Sequence, residues 1–452
     1  MTNTAPSAPQ TPQERAKLAK RAAIASLVGT AVEWYDYFIF GTASALVFGP
    51  LFFPNPDDPI LGTLSAFAVF GVGFVARPLG AVVFGHFGDK FGRKVALITT
   101  LMLMGVSTFL IGLLPTADQI GLWAAAMLVA LRLAQGFAVG GEWGGASLVA
   151  VEYAPENKRG AYGSFPQIGN AVGLVCSTGI FAIVSLLPDD QLFAWGWRIP
   201  FLLSAVLIVV GLFIRFKLTE TPTFQAAQAE LENKQESEKV KDKMPLAEIF
   251  RRFKKPLLLA MGMRFGEAVF GYIVLTIGLT FVENYTDIPR THVLIASSIA
   301  AAFAIYTYYF FGRISDTVGR RTVFMGGSLF GAAIVFPFFW ALDSDNLLLM
   351  YVVYALAYAI GVGAVYGVEP AFFSELFGTK VRYTGVSLAA QIPSILVGFW
   401  PFLATALFAA TDGDPWPIAA LTVASLGIGL VCAYLAPETN RSDINEVGEE
   451  TR

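Results

Sequence analysis

The chain has 452 residues, 55% of them hydrophobic and 14% charged, and a mean hydropathy of +0.60. That is more apolar surface than globular cores can hide, so a bilayer must take part of it. A net charge of −3 gives no reason to expect a nucleic-acid partner, and Cys176 and Cys432 lie singly in apolar runs, without the spacing of a disulfide frame or metal site.

Residues 1–20, rich in Pro, Thr and Gln, show no cleavable apolar core and read as a retained cytoplasmic tail. Crossing ~30 Å of hydrocarbon takes about 20 apolar residues. Six such runs follow, at Ala22 to Phe48, Ile60 to Gly85, Val95 to Leu114, Gly121 to Val151, Ala161 to Leu187 and Ile199 to Phe216. A mixed-charge stretch comes next, read as a solvated linker. Six more runs are Pro256 to Val282, His292 to Phe311, Thr322 to Leu342, Leu347 to Phe373, Tyr383 to Ala409 and Trp416 to Leu435. Backbone groups in lipid must pair internally, so these are helices. The prediction is an all-α membrane protein of twelve transmembrane helices, with bundles at 21–216 and 256–436, a linker at 217–255 and a tail at 437–452. Lys and Arg fall on one side of this scheme. The opposite loops carry Arg198 and Arg290 against nine aspartates, which places both termini in the cytoplasm.

The chain also repeats itself. Gly85-His-Phe-Gly-Asp89-Lys-Phe-Gly-Arg93-Lys94 after the second span returns 227 positions later as Gly312-Arg-Ile-Ser-Asp316-Thr-Val-Gly-Arg320-Arg321 after the eighth. Glu152 and Arg159 after span four are echoed, at the same seven-residue spacing, by Glu375 and Arg382 after span ten. Glu220-Thr-Pro222 after span six finds a counterpart in Pro437-Glu-Thr439 after span twelve. Three echoes in order indicate a duplicated six-helix unit.

These loops are the signature of the major facilitator superfamily, which the whole chain resembles. Glu33-Trp-Tyr-Asp36-Tyr37, Arg77-Pro-Leu-Gly80, the run from Arg132 to Trp143, Trp195-Gly-Trp-Arg-Ile-Pro200 and Glu375-Leu-Phe-Gly378 look more narrowly like the metabolite:proton symporter family. Within it they look most like shikimate-type members. The resemblance spans residues 20–440 and implies two pseudo-symmetric bundles that rock about a mid-membrane cavity lined chiefly by spans one, four, seven and ten. It implies a monomer in the inner membrane that takes up a small organic anion with protons, such as shikimate or a related mono- or dicarboxylate. Relatives carry 2-oxoglutarate, citrate, proline or betaine, so osmolyte uptake stays open, as does an uncoupled facilitator or exporter.

Charges at mid-membrane cost ~2.5 kcal/mol or more each and are usually paired and functional. Glu33 and Asp36 share a face of span one, where low dielectric favours the proton-holding form; Asp36 is preferred for coupling because related families place a carboxylate there. Arg132 is expected to face that carboxylate as a switch. Arg77 can grip a substrate carboxylate with two hydrogen bonds, or else partner Glu33 or Asp36. Arg264 and Glu267, at i, i+3, either bind substrate or satisfy each other, and Glu369 follows the same logic, with Pro370 marking a possible helix break. Tyr37 and Gln391 are candidate cavity residues, and Gly136, Gly140 and Gly144 give packing spacings. Asp89, Arg93, Glu152 and Arg159, with their second-half counterparts Asp316, Arg320, Glu375 and Arg382, are expected to form a charge network that breaks as the halves rock.

Enzymatic readings find no support. There is no phosphate-binding G-x-x-x-x-G-K-S/T, and the histidines, His86 and His292, form no metal motif. Gly71-Val-Gly-Phe-Val-Ala76 matches a dinucleotide fingerprint only inside an apolar helix. No cofactor is expected. Gly163-Ser-Phe-Pro166 fits the antiporter motif of span five poorly, which weakens export.

Overall fold

The computed structural model describes residues 12–55, 58–91, 93–140, 143–152, 154–206, 208–210, 249, 251–344, 346–378 and 381–441, and every regular element among them is helical. In chain order the spans are α1 Pro12–Leu46, α2 Pro59–Phe91, α3 Arg93–Leu113, α4 in two pieces (Leu122–Val139 and Trp143–Glu152) and α5 Arg159–Val184. They continue with α6 Asp189–Val210, α7 Lys254–Tyr285, α8 Arg290–Val318, α9 Arg320–Leu342, α10 Leu347–Leu376, α11 Arg382–Ala410 and α12 Trp416–Leu435. Ten of these are by themselves long and apolar enough to cross a bilayer. The exceptions have plain causes: Glu33-Trp-Tyr-Asp36-Tyr37 makes the middle of α1 polar, and the apolar part of α3 is short, Ile98–Leu113. The linker expected at 217–255 falls almost wholly outside the described residues.

The helices match the sequence expectation at most ends, but α1 starts at Pro12, inside the segment expected as a tail, α2 and α8 run past Gly85 and Phe311 to Phe91 and Val318, and span six departs most. Span six was expected from Ile199, yet α6 begins at Asp189 and passes through a π-helical turn at Leu192–Gly196. The cause is Trp197, which is fully buried and packs edge-on against Phe48 and Phe52, with ring centroids 6.1 and 5.7 Å away. Two more π turns interrupt α7 at Ile273–Ile277 and α10 at Leu356–Val362. Such turns widen a helix locally and gather near functional sites. α10 also breaks where Pro370 predicted it would, with a turn at Gly367 and Val368 before a short final helix from Glu369.

Lipid tails are as apolar as leucine, so helices in a bilayer associate by close packing rather than by escape from water. Glycine provides the approach. A Cβ built on Gly136 of α4 would sit 1.8 Å from the carbonyl oxygen of Gly73 on α2, and one on Gly80 would sit 1.8 Å from that of Phe137. α5 lies as closely on α1, where a Cβ on Gly169 would meet the Leu27 oxygen at 2.2 Å. Between the halves the reciprocal pair is Gly160 on α5 and Gly312 on α8, at 2.2 and 2.6 Å from each other's carbonyl oxygens. α5 and α8 are thus a main seam joining the bundles, closed further along by a 2.7 Å hydrogen bond between Thr178 and Ser298.

Gly136→Ala forces α2 and α4 apart and should cost about 1–3 kcal/mol, the usual toll of overpacking. Its thermal midpoint in detergent should fall clearly below wild type, while Gly179→Ala, with nothing within 4 Å of its Cβ position, should not lower it. Equal midpoints would mean that the helices can separate freely.

Candidate functional site

At mid-depth between the bundles lies a cavity walled by Glu33, Trp34, Asp36 and Tyr37 of α1, Arg77 of α2, Arg132 and Gln135 of α4, Arg264 of α7, and Gln391 and Ser394 of α11. A second chamber shares Trp34, Tyr37, Arg77 and Arg264 with it and runs on to Glu267, Tyr272, Tyr308, Tyr358 and Tyr366. All the residues proposed from sequence for substrate or proton therefore converge here. Spans two, five, eight and eleven contribute as well as the expected one, four, seven and ten.

On the N-terminal side, Asp36 and Glu33 are 3% and 7% exposed. Arg132 is equally buried but does not pair directly with Asp36, contrary to the sequence expectation. Its guanidinium stands 4.3 Å from the ring centre of Phe40 and 4.7 Å from that of Phe70, and donates to Gln135 Oε1 at 3.2 Å. Gln135 Nε2 donates onward to the Thr108 hydroxyl at 2.7 Å, and that hydroxyl, which itself donates to the Met104 carbonyl at 3.0 Å, stands beside the Asp36 carboxylate. Two neutral side chains, Gln135 and Thr108, thus stand between the cation and the acid. Phe40 and Phe70 account for the detour, since their ring faces attract the guanidinium where a carboxylate was expected. Gln135 was legible only as part of a family motif, and Thr108 on α3 carried no sequence signal. Asp36 Oδ1 is buried without a hydrogen-bond partner.

Arg77 sits differently. Its guanidinium stacks 4.2 Å above Phe74 and 5.7 Å from Tyr37, and among the described residues no carboxylate lies within ion-pair distance of it. The alternative in which Arg77 merely pairs with Glu33 or Asp36 is not the arrangement found. Tyr37 is fixed by ring contacts to Trp34 at 4.9 Å and Tyr272 at 6.4 Å. The surrounding wall is short of partners: Trp34 Nε1, the hydroxyls of Tyr272 and Tyr366, and Gln391 Oε1 are all buried with no hydrogen bond. Inside a protein such groups are normally satisfied, so their grouping around one cavity is what a site for a polar ligand requires.

On the C-terminal side Arg264 Nη1 donates to both Glu267 Oε2 and Glu369 Oε2, each at 2.8 Å. The i, i+3 pairing read from sequence is present, but Glu369 joins it from 105 residues away. Across the seam Gln167 donates to the Tyr366 carbonyl at 3.1 Å, and Tyr358 reaches Asn170 at 3.4 Å. Gln167 and Asn170 were missed as functional candidates, although two carboxamides in one apolar span are a signal in themselves.

The bundles touch at both ends. At the end that carries the α8–α9 and α10–α11 turns, Asp316 accepts from the backbone N–H of Gly160 and Ala161 at 2.8 and 3.0 Å, capping α5 from the other half. Arg320, with no exposed surface, binds Asp316 at 2.8 Å and Glu375 at 3.1 Å, and Thr439 donates to Glu375 at 2.7 Å. Glu438 accepts from the Arg320 N–H at 2.7 Å. Arg382 crosses the seam to Glu152 at 3.3 Å, and Arg159 is buried nearby. The side chains of Asp89 and Arg93 lie outside the described residues. At the opposite end Arg290 bridges Asp189 of α6 and Glu283 of α7, and nearer the middle of the spans Phe399 of α11 covers Gly71 of α2.

The sequence profile of the sugar (and other) transporter family matches residues 22–450. The chain belongs to this family of the major facilitator superfamily. It is 39% identical over 426 residues to the shikimate transporter of Escherichia coli K12, covering 94% of this chain and 96% of that one. It is 36% identical to the inner membrane metabolite transport protein YhjE of the same strain, over 93% and 94% of the two chains. The proline/betaine transporter of that strain is 34% identical, over 95% and 88%. A crystal structure of a D-xylose-proton symporter shares the fold with a TM-score of 0.69 at 17% identity, covering 93% of this chain and 99% of that chain. The protein is therefore a multi-pass membrane transporter and not an enzyme.

In such a transporter the Asp316 cap should hold one end shut. Asp316→Ala removes two charge-assisted hydrogen bonds to the α5 N-terminus, a loss across the seam of about 1–2 kcal/mol, besides the Arg320 ion pair within its own half. Spin labels on the adjoining ends of α5 and α8 should then report a roughly tenfold gain in the population separated at that end. An unchanged distance distribution would mean that the cap does not hold the halves.

Proposed function

We propose that this transporter takes up a small organic acid of the shikimate or related mono- and dicarboxylate class together with protons, by alternating access, working as a monomer. The end carrying the Asp316 and Arg382 contacts faces the cytoplasm of an inner membrane, in line with the one-sided distribution of Lys and Arg. The observation that carries the reading is Arg77: a guanidinium facing the cavity, placed over the Phe74 ring, with no carboxylate of the described residues within ion-pair distance of it. A planar cation so prepared offers a substrate carboxylate two parallel hydrogen bonds. Tyr37 and Gln391 border the same space, and Gln391 Oε1, without a partner, can accept from a substrate hydroxyl. Arg264 and Glu267 form the far wall, with their charges committed to each other and to Glu369.

Coupling falls to Asp36, with Glu33 one helical turn away. A carboxylate that is nearly inaccessible and short of one hydrogen bond gains by holding a proton. Ionised, it polarises Thr108 and Gln135 toward Arg132; protonated, it releases that chain, so its charge biases the packing of α1 against α3 and α4. The networks of Asp316, Arg320 and Glu375, and of Glu152, Arg159 and Arg382, would open and close one end of the path, with Asp89 and Arg93 as the corresponding first-half positions.

Osmolyte uptake is the second reading, because Trp34, Tyr37, Phe38 and Tyr272 supply ring faces of the kind that bind quaternary ammonium groups. Arg77 stands over part of this aromatic wall and repels a second cation there, which favours the acid.

The test is uptake of labelled shikimate, 2-oxoglutarate, citrate, proline and betaine by purified protein in liposomes, with and without an inward proton gradient. Gradient-driven accumulation of an acid is expected; betaine accumulation would select the second reading, and gradient-independent equilibration would leave only a facilitator. For the acid transported, Asp36→Asn should abolish accumulation while sparing exchange. Arg77→Ala should raise KM about 10- to 100-fold, the worth of a hydrogen-bonded charge pair. Normal accumulation by Asp36→Asn would remove it from coupling.

A further inference from the structure

Among the described residues, the far wall of the cavity sets two carboxyl groups, those of Glu267 and Glu369, against the guanidinium of Arg264. Glu267 and Glu369 each place Oε2 at 2.8 Å from the same nitrogen, Arg264 Nη1, so the two oxygens lie within about 5.6 Å of each other by simple addition. Glu369 has no exposed surface, and its second oxygen, Oε1, is buried without a hydrogen-bond partner. The groups that bear on the trio from other elements are Tyr37 of α1, Arg77 of α2 and Tyr308 of α8, with Tyr358 and Tyr366 of α10 itself. The tyrosines are neutral, the Tyr366 ring lies 5.3 Å from Arg264 Cζ, and Arg77 is not in ion-pair contact with either glutamate.

Were both carboxyls ionised, this corner would bear one uncompensated negative charge in a medium that solvates charge poorly, and one bare carboxylate oxygen besides. A single proton resolves both difficulties. It leaves one carboxylate facing one guanidinium, and a neutral acid tolerates an unpartnered oxygen far better than an anion does. We propose that Glu267 and Glu369 share one bound proton over Arg264, forming a proton-binding site in the C-terminal bundle separate from the carboxylates of α1. The proton belongs to the pair rather than to either residue, because the two acids face the same cation. The site has access to the transport path, since Glu267 and Arg264 line the chamber that Arg77 borders. If Arg77 receives an anion, as argued above, that added negative charge tightens the pair's hold on its proton, so the two bindings favour each other.

The proposal itself does not depend on the substrate, and infrared spectroscopy of the purified full-length protein tests it without one. In [13C]glutamate-labelled protein at neutral pH, wild type should show the C=O stretch of a protonated glutamic acid. Glu369→Gln and Glu267→Gln should each lose that band while keeping one carboxylate stretch from the partner. If instead these variants lose a carboxylate stretch and no protonated band, both acids are ionised and the proposal is overturned. Should either variant fail to fold, the double variant Glu33→Gln/Asp36→Asn decides, as it leaves the trio intact. Retention of the protonated glutamic band there supports the C-terminal site, and its disappearance assigns the proton to Glu33. A failure of shikimate or any other acid to be transported would leave this result untouched.

Discussion

A bilayer offers no water to a polar group inside it, and the arrangement of this protein follows from that. Backbone donors and acceptors are consumed by helices, and serine and threonine hydroxyls in the spans mostly turn back on a carbonyl three or four residues earlier, as Thr280, Ser297 and Thr405 do. Charged groups have no such local solution. They collect where the two bundles meet, and there the books balance in some places and not in others. At one end of the seam Arg320 and Arg382 find carboxylates and carbonyls, and at the other Arg290 finds Asp189 and Glu283. In the middle, Asp36, Gln391, Tyr272 and Tyr366 keep atoms unsatisfied. The satisfied clusters can be broken and remade as the bundles move; the unsatisfied ones are completed only by something that enters.

Movement needs surfaces that separate without leaving cavities or stranded polar groups, and the glycine approaches meet that need unequally. Gly73 with Gly136 and Gly169 with Leu27 bind helices of the same half, where close contact makes each bundle stiff. Gly160 with Gly312 joins the halves, and there the close approach is coupled to the Asp316 cap on α5. When the halves part at that end, the N-terminal amides of α5 lose an acceptor but meet water, which replaces it at small cost. A contact that solvent can replace suits a gate.

Much of this was legible in the sequence because it is repetitive or expensive. Twelve apolar stretches, the duplicated loop around Asp89 and Asp316 and the handful of mid-span charges are signals that chance seldom produces, and they located the fold and nearly every wall of the cavity. What could not be read was partnership. Arg264 and Glu267 announced each other by helical spacing, but Glu369 is joined to them only by the packing of α7 on α10. Arg132 was expected on Asp36 and is instead held by Phe40 and Phe70, since the competition between a ring face and a carboxylate is decided by rotamers that a sequence does not display. Trp197 likewise read as part of a loop, until burial against Phe48 and Phe52 drew α6 back to Asp189.

The indirect route from Arg132 to Asp36 has a mechanical consequence. A direct ion pair in low dielectric would be deep, and a proton would have to outcompete a full guanidinium to reach the acid. Placing Gln135 and Thr108 between them lowers that competition, because a carboxamide and a hydroxyl offer dipoles where the guanidinium offers a charge. On the coupling proposed for Asp36, the acid would take and give its proton with modest bias, while the cation, lodged on aromatic faces, stays where it is. Arg77, also resting on a ring, stands in the same relation to the cavity. Aromatic support for cations on α2 and α4 thus leaves Asp36 without a direct ion pair to Arg132 and Arg77 bordering the cavity, the arrangement that the proposed coupling and anion binding both need.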